Sequence, residues 1–321
     1  MQSMRAALTI LSSIAILWSA PAAAQDWPQR AVKVVVPFVA GGNTDNQARI
    51  VSERLAAVLG QPFVVENRVG AGGAIAAEYV AKAAPDGYTL FFAASPQFSL
   101  PLVQKVSFDP YKDFTPVSIV GTNPFVLGVH TSIPAKNVKE FVDYAKSRQG
   151  QLNYASAGTG TTTHLTGALF LARAGVQMTH IPYKGGAQAV ADLVGGQVQM
   201  YFGNASELIQ HSKSGKIRML GVSSEKRAPQ LPEVPAIAEF YPGFRSGTWN
   251  GYLAPTGTPA PIVEKLAQEV QKIVREPATA NRLRSIGVEP LGNTPAEFAE
   301  YVRRDAPVWR DAVQAAGIRL E

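Results

Sequence analysis

The sequence predicts an α/β protein of two lobes, each a mainly parallel sheet flanked by helices, the two joined by hinge strands. Three observations carry this. Short apolar runs of β type alternate with stretches of helical spacing, the pattern of parallel sheets covered by helices. Glycine-rich joints repeatedly follow a strand and open a helix. Two apolar segments, 118–128 with Asn123-Pro124 in its middle and 247–255 with Trp249 and Tyr252, stand where a chain would leave one lobe and return. A double crossing of this kind permits rigid-body closure about a cleft.

The elements follow in order. Val32 to Val36 is an apolar strand broken only by Lys33; Asn46 to Leu59 has helical spacing and stops at Gly60. Phe63 to Val65 is the next strand, Ala74 to Ala83 a helix ended by Pro85-Asp86-Gly87, and Leu90 to Ala94 a buried strand. This βαβαβ unit opens lobe one, expected over 25–122 and 250–321. Lobe two, expected over 123–249, begins with the strand Phe125 to Val129. It continues with a helix at 138–148, a strand at 152–155, a helix at 162–174, a strand at 178–182 and a helix at 187–194. Strands at 198–202 and 217–222 complete it. After Tyr252 the chain reads as helical at 262–275, 279–286 and 295–316.

The N-terminus carries one charge, Arg5, then an apolar run from Ala6 to Trp18 and the small residues Ala22-Ala23-Ala24. That is the design of a secretory signal peptide, with cleavage expected between Ala24 and Gln25. About 13 apolar residues are too few to span a bilayer, which takes about 20. The 297 residues that remain (321 less 24) suffice for one large or two medium cores. The chain has no Cys, which excludes disulfides, thiol nucleophiles, thiolate metal sites and a lipid-modified Cys. Net charge falls from +6 to +5 with loss of Arg5, and the basic residues are scattered. That argues against nucleic acid as a partner.

Two loops carry the candidate chemistry. In lobe one, Pro37-Phe38-Val39-Ala40-Gly41-Gly42-Asn43-Thr44-Asp45 follows a strand and opens a helix. Thr44 and Gln47 fit a capping box, and the first N–H groups of the helix favour an anion. Phe38, Gly41, Gly42 and Asn43 are the candidate contacts. In lobe two, Ala157-Gly158-Thr159-Gly160-Thr161-Thr162-Thr163-His164 has the same design. It lacks the Lys of a phosphate-binding loop, so its N–H groups and hydroxyls suit a carboxylate better than a nucleotide. Gly158, Thr159, Gly160, Thr161 and Thr162 are its candidates, and His164 reads as a packing or capping residue. Ser95, Tyr183, Asn204 and Ala205 stand at further strand–helix joints. Phe38, Phe98, Tyr183, Phe202 and Trp249 are candidate cleft aromatics.

The catalytic search is negative. His130, His164, His180 and His211 show no metal spacing. Tyr154-Ala155-Ser156-Ala157-Gly158 lacks the first Gly of a nucleophile elbow. Gly70-Ala71-Gly72-Gly73-Ala74-Ile75 has Ile where a dinucleotide fingerprint needs its last small residue. No cofactor or metal is expected.

Taken together, the motifs resemble the periplasmic receptors of tripartite tricarboxylate transporters, the Bug-type receptors. The resemblance rests on Val34-Val35-Val36-Pro37-Phe38 leading to Gly41-Gly42 and Asp45, on Val65-Glu66-Asn67-Arg68 with Gly70-Ala71-Gly72-Gly73, and on Pro85-Asp86-Gly87-Tyr88. It continues through Gly158-Thr159-Gly160-Thr161, His164-Leu165, His180-Ile181-Pro182-Tyr183-Lys184-Gly185 and Asp192-Leu193-Val194-Gly195-Gly196-Gln197-Val198. It spans nearly the whole mature chain. It implies a periplasmic binding fold (type II-like), a small organic carboxylate gripped by loops of both lobes, a membrane permease as partner, a monomer and no enzyme activity. Acidic residues often stand in that family where this chain has Gln199 and Gly203, which points toward a purely anionic ligand. A ligand-presenting sensor for a membrane signalling kinase is the alternative, and an α/β hydrolase a third reading that the missing elbow disfavours.

Overall fold

A computed structural model describes residues 27–183 and 185–318. The expected signal peptide and cleavage site, and Lys184, lie outside the described residues. The chain forms two mixed sheets flanked by helices. The first contains β1 (Val32–Val36), β2 (Phe63–Asn67), β3 (Thr89–Ala94), β4 (Phe114–Asn123), β10 (Thr248–Pro255) and β11 (Glu289–Pro290), in the order β11-β4-β10-β3-β1-β2. The second contains β5 (Phe125–His130), β6 (Asn153–Ser156), β7 (Thr179–Pro182), β8 (Met200–Asn204) and β9 (Ile217–Val222), in the order β7-β6-β8-β5-β9.

Alternation along each strand explains the layers. Val32, Val34 and Val36 face the core under α1 (Asn43–Leu59) and α8 (Ala260–Arg275). Val35 faces the opposite core, shared with α2 (Ala74–Ala81) and the start of α10 (Pro295–Ala315). In the second sheet Leu127 and Val129 face α4 (Val138–Lys146) and α5 (Thr162–Ala174). Val126 faces α6 (Gly186–Val194) and α7 (Ala205–Lys213). The short α3 (Pro96–Ser99) and α9 (Pro277–Ser285) complete the helices discussed.

The strand directions place the loops. β1, β2 and β3 are parallel, as are β6, β7 and β8. β10 and β5, the strands by which the chain enters each sheet, run antiparallel to their neighbours. A strand entering from the side where parallel strands end must run against them. Asn250 pairs with Ala94 and Thr248 with Asn123, so the crossings begin at the ends of β3 and β4. Phe125 pairs with Asn204 at the end of β8. The carboxyl ends of the parallel strands in both sheets therefore flank the crossings.

The first crossing is nearly direct, β4 passing through Pro124 into β5. A third connection was not expected from the sequence. Phe298 and Val302 of α10 join the first sheet's core, whereas Trp309, Ala312 and Val313 join the second's. Pro307 lies between them. Most expected elements match within a few residues. α1 begins at Asn43, a turn earlier than expected, because Gly42 serves as its N-cap. Gln47 does not cap the helix: its side chain turns into the interior, and the Thr44–Gln47 capping box does not form.

Candidate functional site

The loop after β1 is held from below by Asp45, whose side chain is 1% exposed. Its Oδ2 accepts from the Gly41 N–H at 2.9 Å and from Arg49 Nε at 2.9 Å, and its Oδ1 from Asn67 Nδ2 at 2.8 Å. Asn67 Nδ2 also donates to the Phe38 carbonyl at 2.9 Å. Burial alone would push the Asp45 carboxyl up; Arg49, the Gly41 N–H and Asn67 outweigh it and hold the group below its usual range.

Behind this loop a buried amide cluster ties α1 to both crossings. Gln47 Nε2 lies 2.6 Å from Asn43 Oδ1, 2.8 Å from Asn250 Oδ1 and 3.3 Å from Asn123 Oδ1. Asn250 donates to Thr44 Oγ1 at 3.0 Å and Asn123 to the Gly287 carbonyl at 3.0 Å. Sequence reasoning did not single out these strand amides; an Asn at each crossing was the available signal.

In the second sheet the loop between β6 and α5 is pinned by its own side chains. Thr161 caps α5 by accepting from the His164 N–H. The Ala157 N–H donates to Thr163 Oγ1 at 2.9 Å, and the Gly158 N–H to Ser156 Oγ at 3.1 Å. The Gly160 N–H donates to His164 Nδ1 at 3.1 Å. Gly41, Gly158 and Gly160 were expected to offer their N–H groups to a ligand, but those donors are spent inside the loops. Among the described residues at the two helix starts, the N–H groups of Asn43, Thr44 and Asp45 in α1 and of Thr162 and Thr163 in α5, with that of Thr159 in the loop before α5, have no intramolecular acceptor. All but Thr159, which lies in the loop two residues before the N-cap Thr161, are orphan positions of a helix N-terminus, and the two sets come from opposite sheets. The lobes meet close by: a Cβ on Gly160 would lie 3.4 Å from Val103 of the first lobe.

Other candidates fall elsewhere. The Trp249 ring is 1% exposed and packs on Phe98 and Phe298, so it is core of the first sheet and no cleft wall. Phe98 and Phe202 are likewise buried. Ser95 is fully buried, its hydroxyl donating to Thr248 Oγ1 at 3.0 Å. The Tyr183 hydroxyl donates to Asp192 at 2.6 Å, which directs it toward α6. Phe38 is half-buried, and Asn204 and Ala205 lie at the start of α7 beside Gly287 and Ser206. Gln199 is engaged with Asn153 and Gly196 just before β8 begins, at the end away from the crossings. A Cβ on Gly203 would meet Tyr201 at 2.4 Å. Gln199 therefore lies away from the cleft, whereas Gly203 lies near the carboxyl end of β8. Arg49 is bound to Asp45 and Asn67, and Arg68 to Glu66 with its guanidinium 3.5 Å over the Tyr79 ring.

Two α/β lobes, joined by crossing strands and presenting orphan donors on both sides of the junction, define a two-lobed solute-binding protein. The chain belongs to the tripartite tricarboxylate transporter family of receptors, whose family model matches residues 47–318. It is 34% identical to protein BugT of Bordetella pertussis over 307 residues, covering 94% of each chain. Among solved structures it is similar to an R. palustris protein with adipate, at 37% identity and TM-score 0.81, covering 92% of this chain and 100% of that one. It is also similar to MatC from Rhodopseudomonas palustris with bound malate, at 36% identity and TM-score 0.75, covering 89% and 100%. The family is one of solute receptors, and a periplasmic binding protein, BugD, is a further neighbour at TM-score 0.77.

Proposed function

We propose that this chain captures a small organic carboxylate, a mono- or dicarboxylate, between its lobes and delivers it to the permease of a tripartite tricarboxylate-type transporter. The observation that carries the reading is the set of orphan N–H groups at Asn43, Thr44, Thr159, Thr162 and Thr163, with Arg49 and Arg68 already paired. Phe38, Gly42, Thr161, Asn204 and Ala205 complete the wall. A micromolar ligand needs about 8 kcal/mol, and a hydrogen bond to a charged group contributes about 1.5–3 kcal/mol. A few contacts from each lobe reach that value after binding costs without a cationic side chain. The adipate and malate held by relatives are carboxylates of the size this reading requires. The lobes divide at 123 and 249–250, the leader is removed after Ala24, and the protein works in the periplasm as a monomer without cofactor or catalysis.

Thermal-shift screening of the mature protein against a panel of organic acids tests this, because a ligand bound only by the folded state raises its melting temperature. Calorimetry on each hit gives the affinity. A panel in which no carboxylate shifts the melt, while a neutral or cationic solute does, overturns it.

A further inference from the structure

The loop Gly158–Thr161 is underlain by a stack of rings whose two histidines stand in the motifs His164-Leu165 and His180-Ile181-Pro182, which gave no sign that they meet. His164 of α5 and His180 of β7 lie face to face, centroids 3.7 Å apart and planes 8° from parallel. Tyr154 of β6 extends the pile, 5.0 Å from His180 and 6.2 Å from His164. His164 is 3% exposed and Ser156 fully buried.

The hydrogen bonds fix the proton positions. His164 Nδ1 accepts from the Gly160 N–H, so its proton sits on Nε2. Ser156 Oγ lies 3.0 Å from the Gly158 carbonyl, 3.1 Å from the Gly158 nitrogen and 2.7 Å from His180 Nε2. A hydroxyl has one proton, and the carbonyl takes it. The Gly158 N–H and His180 Nε2–H are then the donors to Ser156 Oγ. One ring thus holds Gly160 directly, and the other holds Gly158 through Ser156. Both glycines have positive φ, +138° and +76°, a conformation the turn must maintain. Thr159, between them, keeps its N–H free.

We propose that His164 and His180 are positioning residues for ligand capture: as a neutral stacked pair they clamp Gly158 and Gly160 and thereby present the Thr159 N–H to the carboxylate. This rests on the carboxylate-receptor reading for what the loop presents, but the clamp itself is a property of the unliganded chain. Burial and the neighbouring His180 push His164 down to about 4, and burial lowers His180 as well, which keeps the pair neutral near pH 7. The groups packed on the pair are Tyr154, raised by burial to about 12, and Ser156; the α10 end, 315–318, brings Ala, Gly and Ile. No described carboxylate or cation offsets a charge there. Protonating His164 Nδ1 removes the acceptor for Gly160, so the clamp opens on acidification.

The test separates clamp from capture. His164→Asn keeps an acceptor where Nδ1 stands but does not titrate; His164→Phe keeps the stack and removes the acceptor. In the unliganded protein, the Gly160 amide resonance should shift between pH 7 and 4, stay fixed in His164→Asn, and move at pH 7 in His164→Phe. With adipate and malate as probes at pH 7, His164→Phe should lose about tenfold or more in affinity, the scale of one hydrogen bond to a charged group. His164→Asn should stay within about threefold and lose less affinity than wild type at pH 4.5, the titration of the acid itself being common to both. An unmoved Gly160 amide in folded His164→Phe, or wild-type affinity in that variant, overturns the clamp. If neither acid binds the wild type, capture of these acids fails and the Gly160 resonance alone decides the clamp.

Discussion

Phe298 and Trp309 stand on one helix and belong to different cores: the Phe298 ring packs on Trp249 in the first lobe, and Trp309 joins the core of the second, where α10 lies against α5. Trp309→Ala should therefore destabilise the second lobe and free it from α10 without touching a ligand loop. Removing a buried Trp costs about 3–5 kcal/mol. Urea unfolding monitored by far-ultraviolet circular dichroism measures it. A loss below about 1 kcal/mol would mean that α10 does not tie the lobes.

Asp305, also on α10, faces Arg245 at 3.1 Å, and its side chain is 13% exposed. Burial outweighs the two arginines around it and raises the carboxyl to about 6. A raised acid contributes stability that is complete below its unfolded value, about 3.8, and lost as pH rises through 6. Asp305→Asn removes that slope. The variant should gain on wild type between pH 4 and 7, by up to about 3 kcal/mol. Denaturation midpoints for both proteins across that range decide it; parallel curves would show that the ion pair with Arg245 fully offsets burial.

The two histidines set a second pH dependence of stability. His164 falls from 6.5 to about 4 in the folded state, so the unfolded chain binds its proton more readily. Its contribution is complete above pH 6.5 and lost as pH falls through 4, about 3 kcal/mol in all. His164→Asn should flatten the melting-temperature profile between pH 6.5 and 4. A profile that keeps its wild-type slope would assign the acid sensitivity to other groups.

The donor pattern predicts which loop changes matter for binding. Arg68→Ala should leave carboxylate affinity within about twofold, because its guanidinium is engaged by Glu66 and Tyr79. Thr159→Pro removes an unpaired N–H and should cost about tenfold or more. Calorimetry at low and high salt should show weak salt dependence, since a desolvated anion between the lobes is poorly screened. Loss of binding in Arg68→Ala with retention in Thr159→Pro would reverse the assignment of donors.

The fold was legible because period and punctuation are local. Val32 to Val36, Gly60 and the Pro85-Asp86-Gly87 turn each announce themselves within a few residues. The partners of the loop donors were not legible. Whether the Gly160 N–H faces outward depends on where His164 Nδ1 lands, and the stack on His180 joins residues far apart in sequence. Trp249 was misplaced for a related reason: in a strand, one position decides between cleft and core. Gln47 looked like a cap because its spacing from Thr44 suits one. Gly42 had already begun the helix, leaving that side chain free for the amide cluster.

The helix seated in both cores restricts how the molecule opens. Two adjacent strands alone would let the halves twist as well as swing, like a page held at one point of its spine. A third tether lying beside them, with Arg245 and Asp305 paired across it, adds resistance to twist, and the pages part most readily along the margin farthest from α10. Pro307, which leaves one carbonyl of that helix without its usual partner, marks the joint where the tether itself can flex. Under the proposed capture of a carboxylate between the lobes, the entrance would then have one side fixed by α10.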